Sequence, residues 1–487
     1  MTRLVIVSNR VGDPRKAAAG GLAVALGDAV SGTEALWFGW SGQITDASGE
    51  LKTRQLGRLQ VATIDLDAAD HDGYYLGYSN QALWPSFHSR LDLAAFEPGF
   101  VHAYERVNRL FARKLAPLLR PDDLIWVHDY HLIPLAEELR RIGCTQRIGF
   151  FLHIPLPAPS LLAAIPGHEN LMRALFAYDL VGLQSQSDVD HFALYARGEL
   201  QAKQLGGGRH AAFGRISTVR AYPIGIDVDA FRAMLNQRES QDTMLMLRQQ
   251  YAKRRLLIGV DRLDYSKGLP QRFRAFRELL ASYPENRMSA TLIQIASPTR
   301  ETVHAYEDIR HELEGLAGEI NGTYGELDWM PIRYMHRTLA RKRLPGLYRM
   351  ARVALVTPLR DGMNLVAKEY VAVQDEEDPG VLVLSRFAGA AEQMREALLV
   401  NPYDVPATAQ IIQRALHMPL AERRERHAAL LAGVARDNAA RWRSDFLDAL
   451  AGSAAREAEA PSSADRPPAA NGTHDEGDRR RPPRLSA

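Results

Sequence analysis

The stretch Val353-Ala-Leu-Val356-Thr-Pro-Leu-Arg-Asp361-Gly-Met-Asn-Leu-Val-Ala-Lys-Glu369 decides how this chain folds. Its first four residues form an apolar run that stops abruptly at a polar loop containing Gly362. A helical pattern follows, with Asn364 at the N-cap position and Val366, Tyr370 and Val373 on one face. Strand, tight glycine turn and helix start together present backbone N–H groups and a positive dipole end to an anion. Glu369, just inside the helix, is suited to accept hydrogen bonds from sugar hydroxyls. Taken alone, Asp, Gly and Asn between a strand and a helix are also ordinary turn residues.

A second run resolves that ambiguity. Val260-Asp-Arg262-Leu-Asp-Tyr-Ser-Lys267-Gly-Leu-Pro270 follows the strand-like Leu256–Val260 and precedes a helix opened by Pro270, with Phe273, Phe276 and Leu280 on one face. Arg262 and Lys267 therefore share one strand-to-helix loop. Such a pair can hold a diphosphate and stabilise the negative charge that grows on it as it leaves. Two loops of matching design in one half of the chain point to a nucleotide-sugar site.

The same architecture recurs along the sequence. Apolar runs at Leu4–Val7, Leu124–Val127, Ile148–Leu152 and Leu180–Leu183 predict buried parallel strands of a first domain. A second series lies at Leu256–Val260, Leu292–Ile295, Val353–Val356 and Val381–Leu384. Each run meets polar or glycine residues at its end, and open α/β sheets bind ligands beyond the carboxyl ends of their strands. The polar stretch from Asp229 to Gln250 is expected to contain the link between the domains.

Composition bounds the function. The 487 residues are 46% hydrophobic and carry a formal net charge of +2, which gives no electrostatic case for nucleic acid or membrane partners. One cysteine, Cys144, excludes an intramolecular disulfide framework and fits a reducing compartment. The amino terminus reads as a short strand, not a signal peptide, and no apolar run approaches the roughly 20 residues that span a bilayer. A cytoplasmic protein is expected. From Ser453 onward Pro, Ala, Arg, Asp and Glu dominate, which predicts a disordered tail over 453–487.

Further motifs occur in order: SNR at Ser8–Arg10, GGLA at Gly20–Ala23, LWP at Leu83–Pro85, WVHDYHL at Trp126–Leu132, GFFLHIPLP at Gly149–Pro157 and YPIGID at Tyr222–Asp227. SPTR at Ser297–Arg300 and NGTYGELDW at Asn321–Trp329 fall between the two loops already described. From about residue 3 to about residue 450 the chain resembles the bacterial trehalose-6-phosphate synthases. That resemblance implies the GT-B architecture: α/β, two Rossmann-like doubly wound domains facing across a cleft. It puts the acceptor domain at 1–235 and the nucleotide-sugar domain at 236–452, with the last helix, around Trp442–Leu450, crossing back.

The resemblance also implies roles. Glucose 6-phosphate would be held by Arg10, Tyr75, Trp84, Asp129 and Arg300, with Trp84 and Ile154 governing anomer selectivity. Two arginines can clamp a phosphate dianion, and an aromatic pair can face a sugar. His153 would lie beside the donor glucose and Asp361 would hold its hydroxyls. Arg262 and Lys267 would neutralise the departing diphosphate, with Leu365, Val366, Ala367 and Lys368 beside it. Glu369 would bind the ribose, Leu339 the uracil, and Gly20 and Gly21 would approach the donor closely. The loop between Arg10 and Gly20 is shorter than the family often shows, which leaves its ordering by the donor open.

The implied reaction is front-face glucosyl transfer from UDP-glucose with retention. No carboxylate pair for double displacement is apparent. No metal site emerges, since His128 and His131 bracket Asp129 without tetrahedral ligand spacing, and no cofactor is called for. Competing readings are the same fold acting on glycerol 3-phosphate, a catalytically silent sugar-phosphate sensor, and a pyridoxal-bearing phosphorylase. The donor base stays open between UDP, ADP and GDP. The resemblance further implies a homotetramer and a separate phosphatase acting downstream.

Overall fold

A computed structural model describes residues 2–12, 34–46, 48–299 and 304–458. Gly20, Gly21 and Arg300, together with the tail beyond 458, lie outside the described residues.

Two sheets organise the molecule. The first contains β1 (Leu4–Arg10), β2 (Ala35–Ile44), β3 (Leu51–Leu56), β4 (Leu59–Leu66) and β5 (Leu124–His128). It continues through β6 (Arg147–Phe151), β7 (Leu180–Leu183), β8 (Lys203–Gly206), β9 (Arg209–Ala212) and β10 (Arg215–Ala221). Their spatial order is β3-β4-β2-β1-β5-β6-β7-β10-β9-β8. The interior pairs are parallel, and the outer pairs β3/β4, β9/β10 and β8/β9 are antiparallel. The second sheet holds β11 (Arg255–Arg262), β12 (Ala290–Ser297), β13 (Ile332–Met335), β14 (Val353–Val356), β15 (Val381–Ser385) and β16 (Leu398–Val400).

The second sheet runs in the order β13-β12-β11-β14-β15-β16, with every pair parallel. This is the 3-2-1-4-5-6 order of a doubly wound fold, and its direction reverses between β11 and β14. The loops after those two strands are the two quoted above. In the first sheet the order reverses between β1 and β5, whose ends carry Arg10 and Asp129. The crevices that open at such reversals are where α/β sheets take their ligands.

All eight apolar runs are strands, because residues buried on both faces leave little alternative at that length. The strands β2, β3, β4, β13 and β16 and the β8–β10 edge were not among those predicted. In β3 four consecutive side chains are exposed, so no apolar signal marks it.

The polar stretch expected to hold the link is instead helical, at Val228–Ala233 and Arg238–Gln250. The longer helix is fastened to the second body, where Ser240 Oγ accepts a hydrogen bond from Gly346 N at 2.9 Å. The chain passes between the sheets through Tyr222–Asp227, which belongs to neither helix nor strand.

Three helices matter for the site: α1 (Leu269–Ser282), α2 (Leu365–Ala372) and α3 (Ala439–Ala458). Helix α3 returns to the first sheet. Phe446 stacks on Trp126 with ring centroids 4.7 Å apart, and Trp442 lies 4.9 Å from the same indole. The sheet makes room with glycine: a Cβ on Gly149 or Gly182 would lie 2.8 Å from the Phe446 ring. Helix α3 runs past the boundary expected at residue 453, because Ala454, Ala455, Arg456, Glu457 and Ala458 are good helix formers. Among the described residues no helix is long and apolar enough to cross a membrane.

Helix α1 carries a buried cation of the second body. The Arg272 guanidinium pairs with Asp261 at 2.5 Å and donates to Thr357 Oγ1 at 2.9 Å and Gln294 Oε1 at 2.8 Å. The ends of β11, β12 and β14 are thereby tied to one side chain.

The glycine–phenylalanine fit predicts that Gly182→Val destabilises the protein by about 1–3 kcal/mol through overpacking. Phe446→Ala should cost about 3–5 kcal/mol. Chemical denaturation of the purified variants would measure both.

Candidate active site

The second sheet's switch point is built around one ion pair. Lys267 Nζ donates to Asp361 Oδ2 at 2.6 Å, and both side chains are largely buried. Burial alone would raise the Asp361 carboxyl. The Lys267 charge and hydrogen bond overcome that and hold it below the usual carboxylate range, with help from Asn364. Asn364 does occupy the N-cap position of α2, but it makes no capping bond. Its φ is +78°, and its Nδ2 donates to Asp361 Oδ2 at 3.1 Å. The side chain is spent on orienting the aspartate, which leaves the helix start open.

The two bodies touch here at backbone distance. A Cβ on Gly362 would overlap the carbonyl oxygen of His153, so only glycine lets this loop approach the first body so closely. Ile154, buried, follows directly behind that carbonyl. Arg262, at the end of β11, lies with its guanidinium carbon 5.2 Å from the centroid of the Trp84 ring. A cation expected to serve the donor thus meets an aromatic expected to serve the acceptor. Further bonds cross the same boundary: the Glu392 carboxylate accepts from Gln186 N and Ser187 N at 2.8 and 3.0 Å.

On the first body, Asp129 adopts φ +75°, a backbone state rare outside glycine and often found at functional positions. Its Oδ1 accepts from His153 N at 3.2 Å, while its own N–H donates to Phe151 O. His153 Nε2 lies 3.1 Å from His128 Nδ1. Burial pushes the His153 imidazole down to about 3 and His128 well below its ordinary value. Both rings are neutral near pH 7, and Asp129, His128 and His153 form one cluster at the ends of β5 and β6.

Nearby, the Arg10 guanidinium lies 5.8 Å over the Trp40 ring. Tyr75 stacks on His131 at 6.0 Å and contacts Trp40 at 5.6 Å. Arg10 and Tyr75 are therefore brought together through Trp40, which sequence reasoning passed over. Its Trp37-Phe38-Gly39-Trp40 run on β2 is the signal that marks it.

Along α2, Leu365 and Val366 are half-buried at the helix start and Ala367 is buried. The Lys368 side chain turns away from that start. Its Nζ donates to Ile224 O and Gln393 Oε1, each at 2.8 Å, and burial pushes the amine down to about 7. Only the Lys368 backbone is left to face a diphosphate. Glu369 is buried, and burial pushes its carboxyl up to about 7 against the pull of Arg341, whose NH2 lies 3.7 Å from Oε1. Arg341 belongs to the loop that carries Leu339, so this contact draws the expected base-binding loop to the expected ribose-binding residue. Among the described residues no group of His, Cys, Asp or Glu is arranged to hold a metal ion.

The family model for glycosyltransferase family 20 matches residues 8–452. A trehalose-6-phosphate synthase of Sinorhizobium fredii is 49% identical over 94% of this chain and 100% of the relative. One from Klebsiella pneumoniae is 46% identical over 92% of this chain and 95% of its own length. Among solved structures, the UDP-forming α,α-trehalose-phosphate synthase of Burkholderia xenovorans in complex with glucose-6-phosphate superposes with a TM-score of 0.89. It is 48% identical, covering 92% of this chain and 100% of that one. An E. coli trehalose-6-phosphate protein bound with UDP-2-fluoro glucose gives 0.89 at 45% identity, covering 92% and 99%. The fold is accordingly GT-B, and the chain belongs to glycosyltransferase family 20.

Proposed function

We propose that this chain transfers glucose from UDP-glucose to glucose 6-phosphate, giving α,α-trehalose 6-phosphate and UDP with retention. The carrying observation is that Arg262, from the loop that also bears the Asp361-paired Lys267, meets Trp84 of the first body. This supports a reading in which cations for a leaving diphosphate face the body that bears Arg10, Tyr75 and Asp129. The Burkholderia relative binds glucose-6-phosphate and the E. coli relative UDP-2-fluoro glucose, and this chain matches both over most of their length.

The division of labour follows. The first sheet with its helices serves as the acceptor body and the second as the donor body, with helix α3 returning to the first. The C1–O bond of the donor breaks with its electron pair moving to the β-phosphate oxygen, where Arg262 and Lys267 neutralise the charge. The anomeric hydroxyl of the acceptor attacks C1 on the same face, and its proton passes to the departing phosphate oxygen. Lys267 has three N–H donors, so it can stay on Asp361 while it reaches the diphosphate. Asp361 holds donor hydroxyls. The carbonyl and neutral ring of His153 lie beside the oxocarbenium charge without adding a competing cation. Arg10 and Arg300 clamp the acceptor phosphate. The proposed compartment is the cytoplasm, whose reducing conditions the single cysteine, Cys144, fits.

The direct test is UDP release from UDP-glucose with glucose 6-phosphate, with glycerol 3-phosphate, or with no acceptor, followed by NMR of the product. Release that depends on glucose 6-phosphate, with an α,α linkage, is expected. Release with glycerol 3-phosphate alone would overturn the acceptor assignment.

Lys267→Ala should lower kcat by about 10²–10³-fold with little change in either KM, because its charge matters most as the diphosphate departs. Steady-state kinetics with each substrate varied would check this. Arg300→Ala should raise KM for glucose 6-phosphate far more than for the donor, by an amount equivalent to roughly 1.5–3 kcal/mol. An equal effect on both substrates contradicts the clamp.

Acid stability offers a third check. An unfolded histidine takes up a proton near pH 6.5 that folded His153 refuses until about pH 3. The unfolded state then binds more protons, so unfolding free energy falls as pH drops through that window. His153→Gln should make the fall shallower in denaturant melts recorded between pH 7 and pH 3.5.

A further inference from the structure

His88 has no part in the donor–acceptor scheme, yet it lies beside the scheme's central contact. It follows the short helix Trp84–Phe87 and is 2% exposed. Its Nδ1 lies 2.7 Å from Trp84 O. A carbonyl oxygen only accepts, so Nδ1 carries a proton and Nε2 is the atom left over. Burial drives the ring down to about 4, with Lys267 adding to the effect and Asp264, Asp361 and the Trp84 carbonyl opposing it. The ring is therefore neutral at physiological pH.

The imidazole also packs on the Trp84 indole, with ring centroids 4.1 Å apart and planes at 32°. That same indole receives Arg262 from the other body. Trp84 is thus gripped from its own side by a ring contact and a hydrogen bond to its carbonyl. An indole free to change rotamer would carry the Arg262 landing surface with it. A cation in the place of His88 would stand near Lys267, whose charge already disfavours protonation of the ring.

We propose that His88 is a positioning residue for the transfer: acting through Trp84, it fixes the surface on which Arg262 docks and so the separation between donor and acceptor. This rests on the assignment of Arg262 to the diphosphate and Trp84 to the acceptor side. Turnover by the unmodified enzyme with glucose 6-phosphate tests that assignment separately.

Three substitutions divide the two contacts. His88→Ala removes both, His88→Phe keeps a neutral ring without the N–H, and His88→Asn keeps an N–H without the ring. Each variant is measured for kcat and KM with both substrates, for UDP affinity by calorimetry, and for folded fraction by thermal melting. We expect His88→Ala to lower kcat/KM for glucose 6-phosphate at least tenfold while UDP affinity stays within twofold. His88→Phe should recover most of that loss and His88→Asn less. Where the alanine variant is poorly folded, the Phe and Asn variants decide the matter by the same split. The proposal is overturned if folded variants keep kcat/KM within twofold of the unmodified enzyme. It is equally overturned if UDP affinity and acceptor kinetics fall together with no recovery in His88→Phe.

Discussion

The buried pairing of Arg272 with Asp261 underlies everything at the nucleotide end of this molecule. Both side chains are almost fully enclosed, at 0% and 3% exposure, so their charges are met by protein rather than water. A buried pair of this kind adds little net stability, but losing one member strands the other and costs about 3–5 kcal/mol. Its value here is geometric. Arg272 reaches Asp261 at the end of β11, Gln294 on β12 and Thr357 just after β14. The loops bearing Arg262, Lys267 and Asp361 all spring from these anchored strand ends. Gly259 contributes by absence, since a Cβ there would intrude on Gln294 and the guanidinium.

From that frame the loops reach across to the first body. Contact is made by groups of different kinds: backbone against backbone at Gly362 and His153, guanidinium on indole at Arg262 and Trp84, carboxylate on helix start at Glu392. With Arg262 exposed to solvent, its cation–π contact with Trp84 is worth about 0.5–1 kcal/mol. None of these is large enough to lock the bodies, and several together suffice to align them. This balance suits a cleft that must admit two sugars and then exclude water.

Much of this was legible in the sequence, and the exceptions have physical causes. The strands with fully buried faces announce themselves as apolar runs, and their polar ends point to the cleft. Asn364 shows the limit of local pattern: its position predicts a cap, but a neighbouring carboxylate competes for the same amide and wins. Lys368 reads as a diphosphate ligand from its neighbours on the helix, whereas its long side chain is drawn to Ile224 O. Arg272 and His88 were invisible for a related reason. A polar residue on an amphipathic helix or after a short turn is ordinarily solvated, and only tertiary packing reveals that these two are enclosed.

The grip of Lys368 has a mechanical consequence. Its amine holds Ile224 O, on the segment where the chain first passes between the sheets, and Gln393, whose Nε2 donates to Asp437 just before α3. Ala439 N in turn donates to Ile226 O, so the outward and return crossings of the chain are bound side by side. Bonds between two crossings restrain sliding along that edge more than turning about it. That edge is fastened to the helix whose open end faces the cleft, so a load applied at the helix tip is carried straight to the crossings.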